Sequence, residues 1–297
     1  MFSARFEARQ ARPLIPSFAE PRTPRCCVRG LGQSCYDCAM EINLLVLNVG
    51  NSRLALAPFR AGEVGEVVRL DLKEPATWGP AIAEVWRQVQ GRENAAVVGA
   101  SVNPDLDEAI EQAVLDTANR HVVWVGEDLD LPIKVLTEKP EETGIDRVLN
   151  VAAAYEQMQK ACVVVDAGTA VTVDYCNDQG EFVGGAIAPG VSMMLEALHQ
   201  RTAKLPQVDK FGPPVEPFGR STEQAILSGV YHGVRGMVKE LVETYATETG
   251  AWPDIIATGG DAPVLFKDWE LVHAIAPDLT LYGIALAYAN HHIKHGT

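Results

Sequence analysis

The chain contains no apolar run approaching the roughly 20 residues a helix needs to cross a bilayer; its hydrophobic stretches are short and broken by Asp, Gly or Asn. A membrane is therefore not an expected partner, and the 47% hydrophobic content of 297 residues goes into cores, enough for two domains of ordinary size. Positive charge is also scarce. Lys and Arg number 25 against 39 Asp and Glu, a formal net charge of −14. Such a field repels backbone phosphates unless a local basic patch overrides it, and the globular part has none, so nucleic acid is not an expected partner. Cysteine is sparse beyond the N-terminal stretch: Cys26, Cys27, Cys35 and Cys38 lie in the first forty residues, leaving Cys162 and Cys176 as packed thiols of a reducing compartment. Cys35-x-x-Cys38 with the Cys26–Cys27 pair could supply zinc ligands, but a second spaced Cys-x-x-Cys is lacking. There is no Walker-type phosphate loop. A cytoplasmic location is expected.

Residues 1–39 differ from the rest. Six arginines (Arg5, Arg9, Arg12, Arg22, Arg25, Arg29) face only Glu7, Glu20 and Asp37, with neither the apolar core nor the amphipathic repeat of a targeting peptide. Met40 stands directly before Glu-Ile-Asn-Leu-Leu-Val-Leu. Residues 1–39 are thus expected to be a disordered extension or a mis-assigned start, with one domain over 40–160 and a second over 161–297.

What the chain does contain is one idea used twice. Leu45-Val-Leu-Asn-Val-Gly-Asn-Ser-Arg-Leu-Ala-Leu56 and Val163-Val-Val-Asp-Ala-Gly-Thr-Ala-Val-Thr-Val-Asp174 both read as an apolar strand, a polar-x-Gly-polar turn and a returning strand. Asn48 and Asp166 sit at the strand ends, and Gly50 and Gly168 let backbone approach a ligand, so each hairpin could cradle phosphate and metal. The repetition suggests two similar halves facing across a nucleotide cleft.

The surrounding rhythm is α/β. Strands are expected at Leu44–Leu47, Leu54–Pro58 and Val67–Leu72, then a helix over Ala81–Gln90 with Ile82, Val85 and Trp86 on its apolar face. A buried strand from Ala95 runs into a loop, as strands do at the ligand cleft of an open sheet. Helix Leu106–Asn119, strand His121–Val125 and helix Asp146–Gln159 follow. The second half holds the Val163 and Val171 strands and a long helix, Thr222–Thr247, whose Gly229, Gly233 and Gly236 would permit close packing despite a cost of order 1 kcal/mol each. Strand Ile255 ends in the Gly259–Gly260 turn, and a helix over Leu281–His292 closes the chain.

Five segments together carry a resemblance: Asn48-Val-Gly-Asn-Ser52; Gly144-Ile-Asp-Arg-x-x-Asn150; Asp166-Ala-Gly-Thr-Ala170; Gly184-Gly-Ala-Ile-Ala-Pro-Gly190 with Thr202-Ala-Lys-Leu-Pro206; and Thr258-Gly-Gly-Asp-Ala262. Each is weak alone, but their order and spacing are specific, and Leu279-Thr-Leu-Tyr-Gly-Ile is similar to a closing signature. From Met40 to Asn290 the chain resembles type III pantothenate kinase. The resemblance implies two ribonuclease-H-like domains of the actin/hexokinase type, with mixed sheets flanked by helices. It also implies a homodimer and ATP-dependent phosphorylation of pantothenate at the first step of coenzyme A synthesis.

It further implies roles. Asp146 would be the general base, against the plain reading of a helix N-cap. Gly144, Ile145, Asp146, Arg147 and Thr202 would bind pantothenate, with Thr202 reaching across the dimer. Asn48, Val49, Gly50, Asn51, Ser52, Arg53 and Thr169 would bind ATP, which brings Mg2+. Asp166 would hold a monovalent cation, K+ or NH4+; otherwise it stabilises a turn. Gly259 and Gly260 fit a turn beneath adenine and ribose. Such a site needs glycine turns, a metal and one carboxylate rather than covalent help. Two positions depart from the family pattern. Asn48 stands where an Asp organises the Mg2+ shell, keeping a carbonyl ligand but losing the charge. Thr137 stands where a Tyr walls the pantothenate pocket. These leave two alternatives: a weak or silent homologue that binds nucleotide or pantothenate, or a kinase for another small hydroxy acid.

Overall fold

The computed structural model describes residues 42–295, so the expectations for residues 1–39 and their cysteines lie outside the described residues. The first sheet begins with β1 (Asn43–Val49), which returns antiparallel as β2 (Arg53–Arg60); β3 (Glu63–Val64) and β4 (Val68–Asp71) pair on the outer side of β2. On the other side of β1, β5 (Ala95–Ser101) and β6 (Val122–Trp124) add in parallel. The second sheet repeats this plan. β7 (Cys162–Ala167), β8 (Ala170–Cys176) and β9 (Phe182–Pro189) form an antiparallel meander, and β10 (Asp254–Thr258) and β11 (Ala274–Ile275) lie parallel beside β7. In both sheets the first strand is central, its hairpin partners lie on one side and two parallel strands on the other. This is the duplicated ribonuclease-H-like plan of the actin/hexokinase fold.

Seven helices among the described residues cover the sheets: α1 (Trp78–Trp86), α2 (Asp107–Ala118), α3 (Ile145–Met158), α4 (Val191–Gln200), α5 (Thr222–Thr249), α6 (Ala262–Phe266) and α7 (Leu279–His295). A central strand covered on both faces reads as a continuous apolar run rather than an alternating one, which is why Leu44 to Leu47 are all apolar and buried. Leu45, Leu47 and Val49 join Ile82 of α1 and Ile110 of α2, while Leu44 and Val46 join Leu281 and Ile284 of α7. In the second sheet, Val163, Val165 and Ala167 join Val234 and Val238 of α5; Cys162 and Val164 join Val148 and Val151 of α3.

The two helices between the sheets thus cross over in the chain. Helix α3 precedes the second sheet and packs on it, whereas α7 ends the chain and returns to β1 and β5 of the first; the two also pack against each other. Gly283 makes that crossing possible, because a Cβ there would stand 2.3 Å from the Leu149 carbonyl oxygen.

Three findings adjust the expected elements. Strand β9 and helix α4 were not anticipated, because the Gly184–Gly190 run has little strand propensity; tertiary pairing with β8 makes it a strand. Helix α5 is capped by the Ser221 hydroxyl, which accepts the Gln224 N–H at 3.2 Å, and stopped by Gly250 at φ +70°. Its Gly229, Gly233 and Gly236 serve no close approach, since a Cβ at each meets nothing within 4 Å. Replacing Gly283 by Val should lower the stability of the whole chain by about 1–3 kcal/mol or more through overpacking of α3 on α7, read as a reduced urea midpoint, whereas Gly233→Ala should be neutral or stabilising.

Candidate functional site

The two hairpin turns occupy equivalent places in the two sheets. Gly50 N–H donates to the Arg53 carbonyl at 3.0 Å, and Gly168 N–H donates to the Ala170 carbonyl at 2.9 Å, so both turns are tight. They also face each other: the hydroxyls of Ser52 and Thr169 lie 3.3 Å apart. A third loop closes in after β10, where the Asp261 N–H donates to the Ala167 carbonyl at 2.9 Å. Burial raises the Asp261 carboxyl above its usual range while the charge of Arg53, from the other sheet, opposes the shift. Asn48, Ser52, Arg53, Asp166 and Thr169 are thereby brought to one cleft from both halves. Gly259 has φ +92°, and a Cβ there would lie 2.4 Å from Asp166 Oδ1 and from the Ala167 carbonyl, so only glycine allows this loop to approach the Asp166 carboxylate.

The N-terminus of α3 enters the same region. Gly144 is the capping residue and Asp146 lies in the first turn, with Oδ1 accepting the Arg147 N–H at 2.8 Å. Asp146 therefore satisfies a first-turn amide without being the N-cap of the plain reading, a position held by Gly144. Burial nonetheless raises its carboxyl, against the lowering effects of that amide and the Arg147 charge. Arg147 turns toward the second sheet: Nε and Nη2 reach Asp174 Oδ1 at 3.0 and 2.5 Å, and the guanidinium lies 5.4 Å from the centre of the Phe182 ring. Asp174 Oδ2 accepts from the Thr172 hydroxyl at 2.9 Å. Asn150, one helical turn after Asp146, donates from Nδ2 to Asp166 Oδ2 at 2.9 Å and accepts on Oδ1 from the Thr280 hydroxyl at 2.7 Å.

Among the described residues the buried polar side chains are Asn150, Asp174 and Thr258, and the first two belong to this network, each 1% exposed; Thr258 is the strand neighbour of Asp166. Burial pushes Asp166 up to about 6, helped by the Asp146 charge, opposed by the Asn150 amide and helped again by Asp174. Burial also raises Asp174, with Arg147 opposing. Three carboxylates thus share one region with a single guanidinium paired to one of them. Desolvated like charges of this kind favour protonation or an added cation.

Two acceptors there are unused. Asn48 Oδ1 is buried without a hydrogen-bond partner, and Asp166 Oδ1 has none among the described residues. No three His, Cys, Asp or Glu side chains among the described residues group to cage a metal. The donor set fits a cation held by one or two protein oxygens and by phosphates of a ligand, the usual situation of Mg2+ beside a nucleotide.

Not every expected residue joins the cluster. The Thr202 hydroxyl donates to the Leu198 carbonyl at 2.7 Å and accepts the Leu205 N–H at 3.3 Å, closing the exposed end of α4, and no described contact ties it to Asp146 or Arg147. Thr137 does approach, its hydroxyl 2.8 Å from that of Thr143, next to the α3 cap. A cavity of about 380 Å³ opens elsewhere, along α3 by Tyr155 and Glu156, and shares no residue with the cluster. Asp174 and Thr280 are the residues that sequence reasoning missed. The signal for Asp174 was a charged residue inside a strand, Ala170–Cys176, whose Val171, Val173 and Cys176 are buried, where it demands a partner.

Known proteins resemble this chain in fold and in sequence. A solved structure of a Baf family protein from Campylobacter jejuni superposes with a TM-score of 0.53 at 21% identity, covering 84% of this chain and 98% of that one, and supports the fold alone. The type III pantothenate kinase of Geobacter sulfurreducens is 34% identical over 250 residues, 82% of this chain and 98% of its own length. That of Desulfatibacillum aliphaticivorans is 32% identical over 250 residues, covering 82% and 97%. The sequence profile of the same family matches residues 44–244, and with both cleft turns and the α3 cluster inside that span, this chain belongs to the type III pantothenate kinase family.

Proposed function

We propose that this protein transfers the γ-phosphoryl group of ATP to the primary hydroxyl of pantothenate, the first step of coenzyme A synthesis. The observation that carries this reading is Asp146: a largely buried carboxylate on the first turn of α3, in a cleft lined by two facing glycine turns. Its carboxyl, raised by burial, is a better proton acceptor than an ordinary aspartate. In the step, Asp146 takes the hydroxyl proton, the oxygen forms its bond to the γ-phosphorus, and the bond from that phosphorus to the β–γ bridging oxygen breaks to leave ADP. The Ser52 and Thr169 hydroxyls, 3.3 Å apart, and the Arg53 charge would meet phosphate oxygens from both sides. Mg2+, when bound with ATP, would neutralise charge on the phosphates, with Asn48 the protein oxygen available to its water shell and Asp166 available to a monovalent cation.

Arg147 is held by Asp174 and Phe182 and so orients the start of α3 rather than swinging freely. Thr137, beside Thr143, would border the pantothenate end of the cleft. Thr202, which lies outside the cluster of its own chain, fits a contribution to the cleft of a second subunit. A homodimer is supported by apolar side chains exposed on the edge strand β9 and on α4, with Ile187 65% exposed alongside Val183 and Met193. No described helix is long and apolar enough to cross a membrane.

An ADP-release assay with ATP, Mg2+, K+ and pantothenate should show pantothenate-dependent turnover, and Asp146→Ala should lose about 10²–10⁴ of it, the usual share of a general base; equal turnover in the variant would reject that role. Because burial raises Asp146, the acidic limb of the pH–rate profile should lie above the ordinary aspartate range. The same shift has a sign for stability. Between the unfolded and the raised folded value the native state binds more protons, so stability falls as pH rises through that window. Asp146→Asn should therefore melt higher than the wild type at pH 8, the advantage vanishing at a pH low enough to protonate the carboxyl in both states. Asn48→Asp, restoring a charged ligand, should lower the Mg2+ concentration needed for half-maximal turnover.

A further inference from the structure

The Asp166 carboxylate is held on one side only. Oδ2 accepts the Asn150 amide, whereas Oδ1 takes no hydrogen bond among the described residues and lies close against Gly259, where a Cβ would stand 2.4 Å from it. Asn150 can serve Asp166 only if its amide points the right way, since one end is an acceptor and the other a donor. The acceptor-only carboxylate selects Nδ2, and the Thr280 hydroxyl holds the amide in that orientation by donating to Asn150 Oδ1. A flipped amide would set oxygen against oxygen. Thr280 reaches Asn150 because α7 crosses α3 at Gly283, against the Leu149 carbonyl one residue before Asn150.

We propose that Asn150 and Thr280 are positioning residues that lock the Asp166 carboxylate with Oδ1 turned to the cleft, ready for a monovalent cation. This rests on the phosphotransfer reading for its purpose, but its geometry is independent of the substrate. Neither residue touches the reacting atoms. They act as outer-shell partners do at other ion sites, where losing one typically costs 10–100-fold in affinity. The C-terminal helix thereby becomes part of the site through a single hydroxyl, although it packs on the opposite sheet.

The test is a thermal melt of the full chain, without nucleotide, against KCl at constant ionic strength held with tetramethylammonium chloride. Wild type, Thr280→Val, Thr280→Ser and an Asp166→Asn control are compared. The wild-type melting temperature should rise with K+ and that of the control should not. Thr280→Val should need about 10–100 times more K+ for half the effect, and Thr280→Ser, which keeps the donor, should titrate near wild type. If Thr280→Val does not fold, Thr280→Ala carries the same comparison. The half-saturating K+ is read rather than the baseline melting temperature, so simple destabilisation does not mimic the result. In the ADP-release assay, excess K+ should restore the Thr280→Val turnover with the KM for pantothenate unchanged. The inference is overturned if the wild type shows no K+-linked shift, if the Thr280→Val titration matches wild type, or if Thr280→Ser is as weak as Thr280→Val. Absence of pantothenate-dependent turnover in the wild type, with the K+ titrations still separated, would reject the proposed substrate and leave the positioning roles standing.

Discussion

Unbalanced buried charge is the constraint on which this structure turns. Asp146, Asp166 and Asp174 are drawn together between two sheets with one guanidinium, Arg147, to answer them. Arg147 and Asp174 satisfy each other, with Thr172 and Phe182 completing the pairing. That leaves Asp146 and Asp166 exposed to each other's field and to a poor dielectric. Breaking a buried ion pair typically costs about 3–5 kcal/mol, so the Arg147–Asp174 contact is a fixed point from which the start of α3 is aimed.

The fold makes this arrangement possible by exchanging helices. Because α3 lies on the second sheet and α7 returns to the first, the layer between the sheets is a helix pair belonging to both. Its crossing point, Gly283 on Leu149, is close-packed backbone, and the very next residue, Asn150, makes the contact to Asp166. The polar cluster and the packing of the two sheets are thus adjacent along one helix. Substitutions at the crossing will be felt at the carboxylates, since close-packed interiors transmit displacement instead of absorbing it.

Much of this was legible in the chain. The repeated strand–turn–strand segments did become topologically equivalent hairpins, because apolar runs bounded by Gly turns specify their own partners locally. Asp146 at the start of a helix followed from Gly144 and the apolar spacing of Val148, Val151 and Ala152. Strand β9 was not legible: Gly184, Gly185 and Gly190 carry no strand signal, and its pairing with β8 is decided by the sheet it joins. Nor was the partner of Arg147, which lies across two elements at Asp174, or the link from Thr280 to Asn150, separated by 130 positions. The glycines of α5 misled in the other direction, since spacing alone cannot tell a crossing glycine from a solvent-facing one.

By itself, then, the sequence determined the α/β alternation, the two hairpin turns, the helix that carries Asp146 near its start and the family to which these motifs in this order belong, because each depends on residues close together in the chain. Only the tertiary structure decided which carboxylate is paired, which oxygen of Asp166 remains free and which helix stands behind it. Those outcomes depend on long-range packing and on the desolvation it brings, and neither burial nor the direction of a hydrogen bond is written in the local pattern of residues.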